Sequence, residues 1–293
     1  MTETFFKYLQ FEKRLSKHTI LSYKNDVNQF SIFLQMQYSV ASPEEASYGM
    51  IRSWIISMVE EGLQPSSINR KIACLRSLYK FWVKGAVVDK NPMTKVTVLK
   101  SKRRLPSFVK ISEINQLLDH SDFRDGFDGV RDQLVLEMLY ATGIRLNELI
   151  NLTEKNVDIN QCTIKVLGKR NKERVIPFSP NIVKKITAYR EVRNREVKMK
   201  EHGLLFVTSH GDPCYPMLIY RSVNRHLKTA TVAEKKSPHV LRHSYATHLL
   251  DRGAEINAVK DLLGHSSLAA TQVYTHNTID KLKKAFDLAH PKA

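Results

Sequence analysis

Cysteine is scarce in this chain. Its three residues, Cys74, Cys162 and Cys214, are far apart and odd in number, so no disulfide framework is implied, and no Cys-x-x-Cys pair offers a zinc site. No apolar run approaches the roughly 20 residues of a membrane span. The first ten residues carry Glu3 and Lys7 among their aromatics instead of the apolar centre of a signal peptide. These absences lead to the expectation of a cytoplasmic protein with no membrane partner. A glycine-rich phosphate loop of the Walker type is also missing, so ATP use, a cofactor and a metal are not expected. Acid is short too: 29 Asp and Glu face 46 Lys and Arg, a formal net charge of +17. That excess points to a polyanionic partner, and double-stranded DNA is the expected one.

What is present is a chain of 293 residues with 42% hydrophobic content, enough for two domains with cores of their own. Helical spacing dominates the first hundred residues. Phe5, Phe6, Leu9 and Phe11 open an apolar face, and Thr19 reads as the cap of a helix carrying Leu21, Tyr23, Val27, Phe30, Phe33 and Leu34. Ser42-Pro43-Glu44-Glu45 has the order of a helix start, a capping serine followed by proline and acids. Ile51, Trp54, Ile55, Met58 and Val59 follow it at helical spacing. Pro65 opens a fourth helix with Ile68, Ile72, Leu75, Leu78, Tyr79 and Trp82 facing inward. Residues 1–99 therefore read as a four-helix domain. Residues 100–107, with Lys100, Lys102, Arg103 and Arg104 before Pro106, read as a basic linker suited to crossing a phosphate backbone. These four, with Arg70 and Lys71, are the candidate DNA contacts.

Residues 108–293 are mixed α and β. Helices are expected from Ser112 and over Val130–Tyr140, the latter stopped by Gly143 in the left-handed conformation. Cys162–Leu167 alternates like a strand. Gly168-Lys169-Arg170-Asn171-Lys172 reads as a turn and Arg174–Phe178 as the returning strand of a hairpin. Further helices are expected over Pro180–Lys198, Pro238–Leu250, Ile256–Leu263, Leu268–Tyr274 and Ile279–Ala289.

Four stretches carry chemistry. His239 and Arg242, three apart at a helix start signalled by Ser237-Pro238, share one face, where a helix N-terminus favours an anion. Gly264-His265 follows the next helix, and Tyr274 lies nine residues beyond His265. Ala141-Thr142-Gly143-Ile144-Arg145-Leu146-Asn147-Glu148-Leu149 places Arg145 just past a helix stop, with Glu148 one turn on to hold it. The order Ala-Thr-Gly-x-Arg-x-x-Glu-Leu, strand-Gly-Lys-turn-strand, His-x-x-Arg, Leu-Gly-His and then Tyr resembles the tyrosine recombinase (phage integrase) family, and most of all its bacterial Xer members. The likeness runs from about Lys110 to the C-terminus, and the helical region before it resembles the family's SAM-like core-binding domain. Xer likeness is carried by Gly-Lys-Arg-Asn-Lys-Glu-Arg at 168–174, by Leu241 to Leu250 and by Tyr274-Thr275-His276. One local departure is Arg170, where many Xer members have glycine.

The resemblance implies a site of six residues. Arg145 and Arg242 match the two catalytic arginines, Lys169 the hairpin lysine, His239 and His265 the two histidines, and Tyr274 the nucleophile. Tyr245, a rival by residue type, lies in an apolar helical stretch that suits core packing. Attack by a phenol oxygen on a phosphodiester puts charge on the nonbridging oxygens, which forked guanidiniums hold well. Lys169 is the candidate general acid for the leaving 5′ oxygen and His239 the candidate proton acceptor, with His265 bonding the phosphate and Glu148 orienting Arg145. Which histidine is the base stays open. The family further implies a 3′-phosphotyrosine intermediate, a four-way junction and a homo- or heterotetramer on two DNA duplexes, whose terminal helix, with Leu282, Phe286 and Leu288, docks on a neighbouring subunit. Chromosome dimer resolution is the expected role. A mobile-element integrase, a type IB topoisomerase-like enzyme and a non-catalytic DNA-binding protein are the alternatives.

Overall fold

The structure is a computed structural model, and it describes residues 1–100, 108–120, 123–168, 173–198, 200–264, 286 and 288–291. It divides into two compact units, Met1–Arg104 and Leu105–Ala293. Among the described residues there are eleven α-helices and one three-stranded antiparallel sheet. None of these helices is long and apolar enough to cross a membrane.

The first unit contains α1 (Thr2–Lys7, continued by a π-helical turn, Tyr8–Glu12), α2 (Lys17–Tyr38), α3 (Tyr48–Glu60) and α4 (Pro65–Lys84). Its core collects Phe5, Leu9, Val27, Phe30, Leu34, Ile51, Trp54, Ile72, Leu75, Leu78, Tyr79 and Trp82, all buried. Both tryptophans of the chain, Trp54 and Trp82, are in this core. The cap of α2 is Ser16, not Thr19; its hydroxyl accepts from the Thr19 backbone N–H at 3.2 Å. The Ser42-Pro43 start yields only a 3₁₀ turn, Pro43–Glu45. Tyr79 Oη donates to the Pro43 carbonyl at 2.6 Å, which fixes that turn. α3 then begins under Ser47, which accepts from the Met50 N–H at 3.4 Å. Phe11, Leu21 and Val59, placed on apolar faces by their spacing, are 68%, 58% and 51% exposed. Leu21 and Val59 each sit one position off the stripe, next to buried Ile20 and Met58, and Phe11 stands in the same π-helical turn as buried Leu9.

The second unit contains α5 (Ile111–His120), α6 (Phe127–Thr142), α7 (Leu146–Ile150), β1 (Val157–Asp158), β2 (Thr163–Leu167), β3 (Glu173–Pro177), α8 (Pro180–Glu196), α9 (Pro216–Ala230), α10 (Pro238–Asp251) and α11 (Ile256–Leu263). α6 is buried over most of its circumference, from Leu134 through Thr142 without a break, so it is the central helix of this unit. Glycine ends it: Gly143 takes φ 59° and its N–H bonds the Leu139 carbonyl at 3.1 Å. The sheet order is β1-β2-β3, with Ile164 opposite Ile176 and Val166 opposite Arg174. The hairpin gains β1, two residues long, as a third strand. α9 has no counterpart in the sequence reading. It begins with Pro216 at its first turn and buries Ile219, Val223 and Leu227 at four-residue spacing.

The helix expected over Leu268–Tyr274 lies outside the described residues, as does most of the one expected over Ile279–Ala289. Of that terminal segment, residues 286, 288 and 289 are helical. Phe286 and Ala289 belong to the unit's own core. The His290 ring stacks on Phe286 with centroids 4.6 Å apart and lies 5.3 Å from Tyr140 and 5.5 Å from Tyr245. In the single chain, then, these apolar groups are covered in cis; Leu288 alone of the described set points outward, 82% exposed.

Candidate active site

Arg145 occupies the N-cap of α7 in extended conformation, φ −76° and ψ 151°. That conformation turns the chain sharply after Gly143 and lets Glu148, at the third helical position, reach back. The Glu148 carboxylate accepts from the Arg145 backbone N–H at 2.8 Å and from its guanidinium at 2.8 Å. The expected pairing of Glu148 with Arg145 is therefore present.

A second arginine shares that carboxylate. Arg174 on β3 donates from Nη1 to Oε1 at 2.9 Å and from Nη2 to Oε2 at 2.7 Å. Sequence reasoning missed it: alternation puts Arg174 on the strand face of Ile176, which the structure buries fully, but nothing in the sequence names its partner. Burial alone would raise the Glu148 carboxyl, but the bonds from Arg174 and then Arg145 outweigh it and hold the group down at about 2.

Arg242 lies on the second turn of α10 and is buried. Its guanidinium donates to the Gly143 carbonyl and, at 2.6 Å, to the Leu263 carbonyl. Burial, followed by the nearby cations Arg145 and Arg174, brings Arg242 down to about 10. It stays charged at neutral pH, in a place where a further anion would relieve it. His239, three residues earlier in the first turn of α10, is exposed.

The end of α11 closes the cluster. Leu262 O accepts from Arg174 Nε at 3.0 Å, Leu263 O from Arg242, and Gly264 O from Arg145 Nη2 at 3.2 Å. The carbonyl end of a helix is its negative pole, so three cations gather there. Gly264 makes the approach possible. It has φ 63°, and a Cβ on it would stand 3.1 Å from Arg174 Cδ. Three guanidiniums against one carboxylate leave an uncompensated positive site, an arrangement suited to an oxyanion, and exposed His239 precedes Arg242 by three residues on α10. No cluster of side chains among the described residues is arranged to hold a metal ion.

Of the expected site, Arg145, Glu148 and Arg242 come together, and His239 stands on the same helix as Arg242. Lys169, His265 and Tyr274 lie outside the described residues, as do Lys102, Arg103 and Arg104. Tyr245 is fully buried against Gly143, whose Cβ position would be 2.5 Å from its ring, and burial pushes its phenol up. It is packed as a core residue. Among the candidate DNA contacts, Lys71 is corrected: it is only 6% exposed, and its ammonium is spent on Asp26 at 3.0 Å and on Gln29. Arg70 also pairs with Asp26 but keeps 44% of its side chain exposed, and Lys100 is exposed.

The phage integrase family profile matches residues 107–281, and the profile of the phage integrase N-terminal SAM-like domain matches residues 2–85. The chain is 37% identical to tyrosine recombinase XerC of Bacillus subtilis (strain 168), over 99% of this chain and 95% of that one. It is 33% identical to tyrosine recombinase XerD of Staphylococcus haemolyticus (strain JCSC1435), over 99% and 98%. Its fold matches that of XerH site-specific recombinase bound to palindromic difH substrate with a TM-score of 0.71 and 21% identity, covering 96% of this chain and 93% of that one. With the arginine cluster in place and likeness over nearly its full length, the chain belongs to the phage integrase family, the tyrosine recombinases.

Proposed function

We propose that this chain cuts and rejoins double-stranded DNA at specific sites with Tyr274 as nucleophile, and that Arg145 and Arg242 hold the scissile phosphate. The observation that carries the reading is the convergence of Arg145 and Arg242 on the end of α11, directly before His265 in the sequence. In the proposed step Tyr274 Oη bonds to phosphorus and the bond to the 5′ oxygen breaks. The phenol proton passes to His239 and Lys169 supplies one to the leaving 5′ oxygen, while His265 bonds the phosphate. The 3′-phosphotyrosine keeps the energy of the broken bond, so a 5′ hydroxyl from a partner strand reseals it without an external energy source. Strand exchange then passes through a four-way junction on a homo- or heterotetramer, with the helical first unit and Lys100 and Arg70 gripping the duplex. Leu288, outward in the single chain, is a candidate contact to a neighbouring subunit. Likeness to both XerC and XerD favours chromosome dimer resolution, alone or with a second recombinase.

The test is covalent attachment. Wild-type protein incubated with fragmented DNA of its source genome should form an adduct that survives denaturing electrophoresis, and sequencing the attached DNA maps the site. Tyr274→Phe should bind the same DNA and form none. An adduct in Tyr274→Phe would overturn the nucleophile, and binding by wild type without any adduct would leave a DNA-binding protein. A single mapped site supports chromosome resolution; sites confined to the ends of a mobile element overturn it in favour of integration.

A further inference from the structure

We propose that Arg174 is a positioning residue for the strand-transfer reaction: it clamps Glu148 and the end of α11 so that Arg145 and Arg242 are held ready for phosphate. This rests on the function proposed above. Arg174 is 3% exposed, and all three of its nitrogens are used internally, Nη1 and Nη2 on Glu148 and Nε on the Leu262 carbonyl. Three of its five N–H donors are taken, and burial rather than saturation keeps the other two from a ligand arriving from solvent, so it acts through the groups it holds.

What it does touch reaches every other arginine of the site. Glu148, gripped on both oxygens by Arg174, grips Arg145 by backbone and side chain. Leu262, held by Arg174, precedes Leu263, which accepts from Arg242, and Gly264, which accepts from Arg145. Three consecutive carbonyls thus have three different arginines. Removing Arg174 frees the first carbonyl and half of the Glu148 grip at once. Arg174 is the second residue of β3, so one side chain ties β3, α7 and α11 together. Lysine cannot replace it in kind. A lone ammonium makes a point contact and cannot fork onto a carboxylate while bonding a carbonyl behind it.

The test separates positioning from mere stabilisation. The duplex is nicked and carries the site mapped by covalent attachment. Its scissile phosphate is either an ordinary diester or a methylphosphonate, which lacks one charged nonbridging oxygen and so asks less of the arginines. Arg174→Met should slow adduct formation on the diester about 10²-fold, the scale of an ångström-sized misplacement. Its gel-shift affinity should be unchanged, and on the methylphosphonate it should lose little. Arg145→Ala should show the same substrate dependence, and the double variant should be no slower than Arg145→Ala, because both act through one group. Wild-type rates on the diester, or an equal loss on both substrates, would overturn the proposal. If Arg174→Met fails to fold by circular dichroism, Arg174→Lys takes its place. It should show a smaller loss, again confined to the diester, and an equal loss on both would overturn the proposal. A wild-type chain that forms no adduct overturns the underlying function, and that failure is read from a separate lane.

Discussion

Glu148 has room for about four hydrogen bonds on its two oxygens, and Arg145 and Arg174 fill four. Its folded carboxyl titrates at about 2, below the ordinary 4.5. A depressed acid contributes stability that is complete above the unfolded value and drains away as pH falls through the folded one. The wild-type chain should therefore lose urea resistance between about pH 4.5 and about pH 2 more steeply than Glu148→Gln, which has no charge to lose. Parallel acid profiles for the two proteins would refute the role. At this scale the sequence showed one half of the arrangement. Glu148 could be tied to Arg145 because three residues in a helix start bring them together. Arg174 could not, because a charged residue in an alternating strand reads as solvent-facing until its partner from another element is known.

Among the elements, the joint between α6 and α10 turns on Gly143. Its left-handed φ and the 2.5 Å from its Cβ position to the Tyr245 ring leave no room for a side chain. Gly143→Ala should destabilise the second unit by about 1–3 kcal/mol, through backbone strain together with overpacking. Chemical denaturation checks this, and unchanged stability would mean that the ring does not close on the glycine. Helices with strong punctuation, such as the one ended by Gly143 or begun by Pro65, were legible from composition. α9 was not: Ile219, Val223 and Leu227 keep helical spacing, but Arg221 and Arg225 between them and Lys228 after them give the stretch the look of a solvated segment. β1 is two residues long, too short for any alternation to register.

At the scale of the whole chain, the two units have separate buried cores, one built from α1–α4 and the other around α6. A fragment of residues 1–100 should fold by itself, with a cooperative melt and native-like helical circular dichroism, since its aromatic core is drawn from within it. A fragment without a cooperative transition would show that the first unit depends on the second. The division was visible in the sequence as a change from helical spacing to mixed patterning across a basic, proline-ended stretch. The site needed the fold, because Arg145, Arg174 and Arg242 come from separate elements and meet only where α11 ends.

The placement of Trp54 and Trp82 in the first unit has a practical side. Indole emission excited at the red edge, where tyrosine is silent, reports on that unit alone, while the second unit is indole-free. Far-ultraviolet dichroism in the same cuvette follows the helices of both units, so a step it shows without an indole change belongs to the second unit. The chain thus carries its own label for telling which half melts first, with no dye attached and no residue changed.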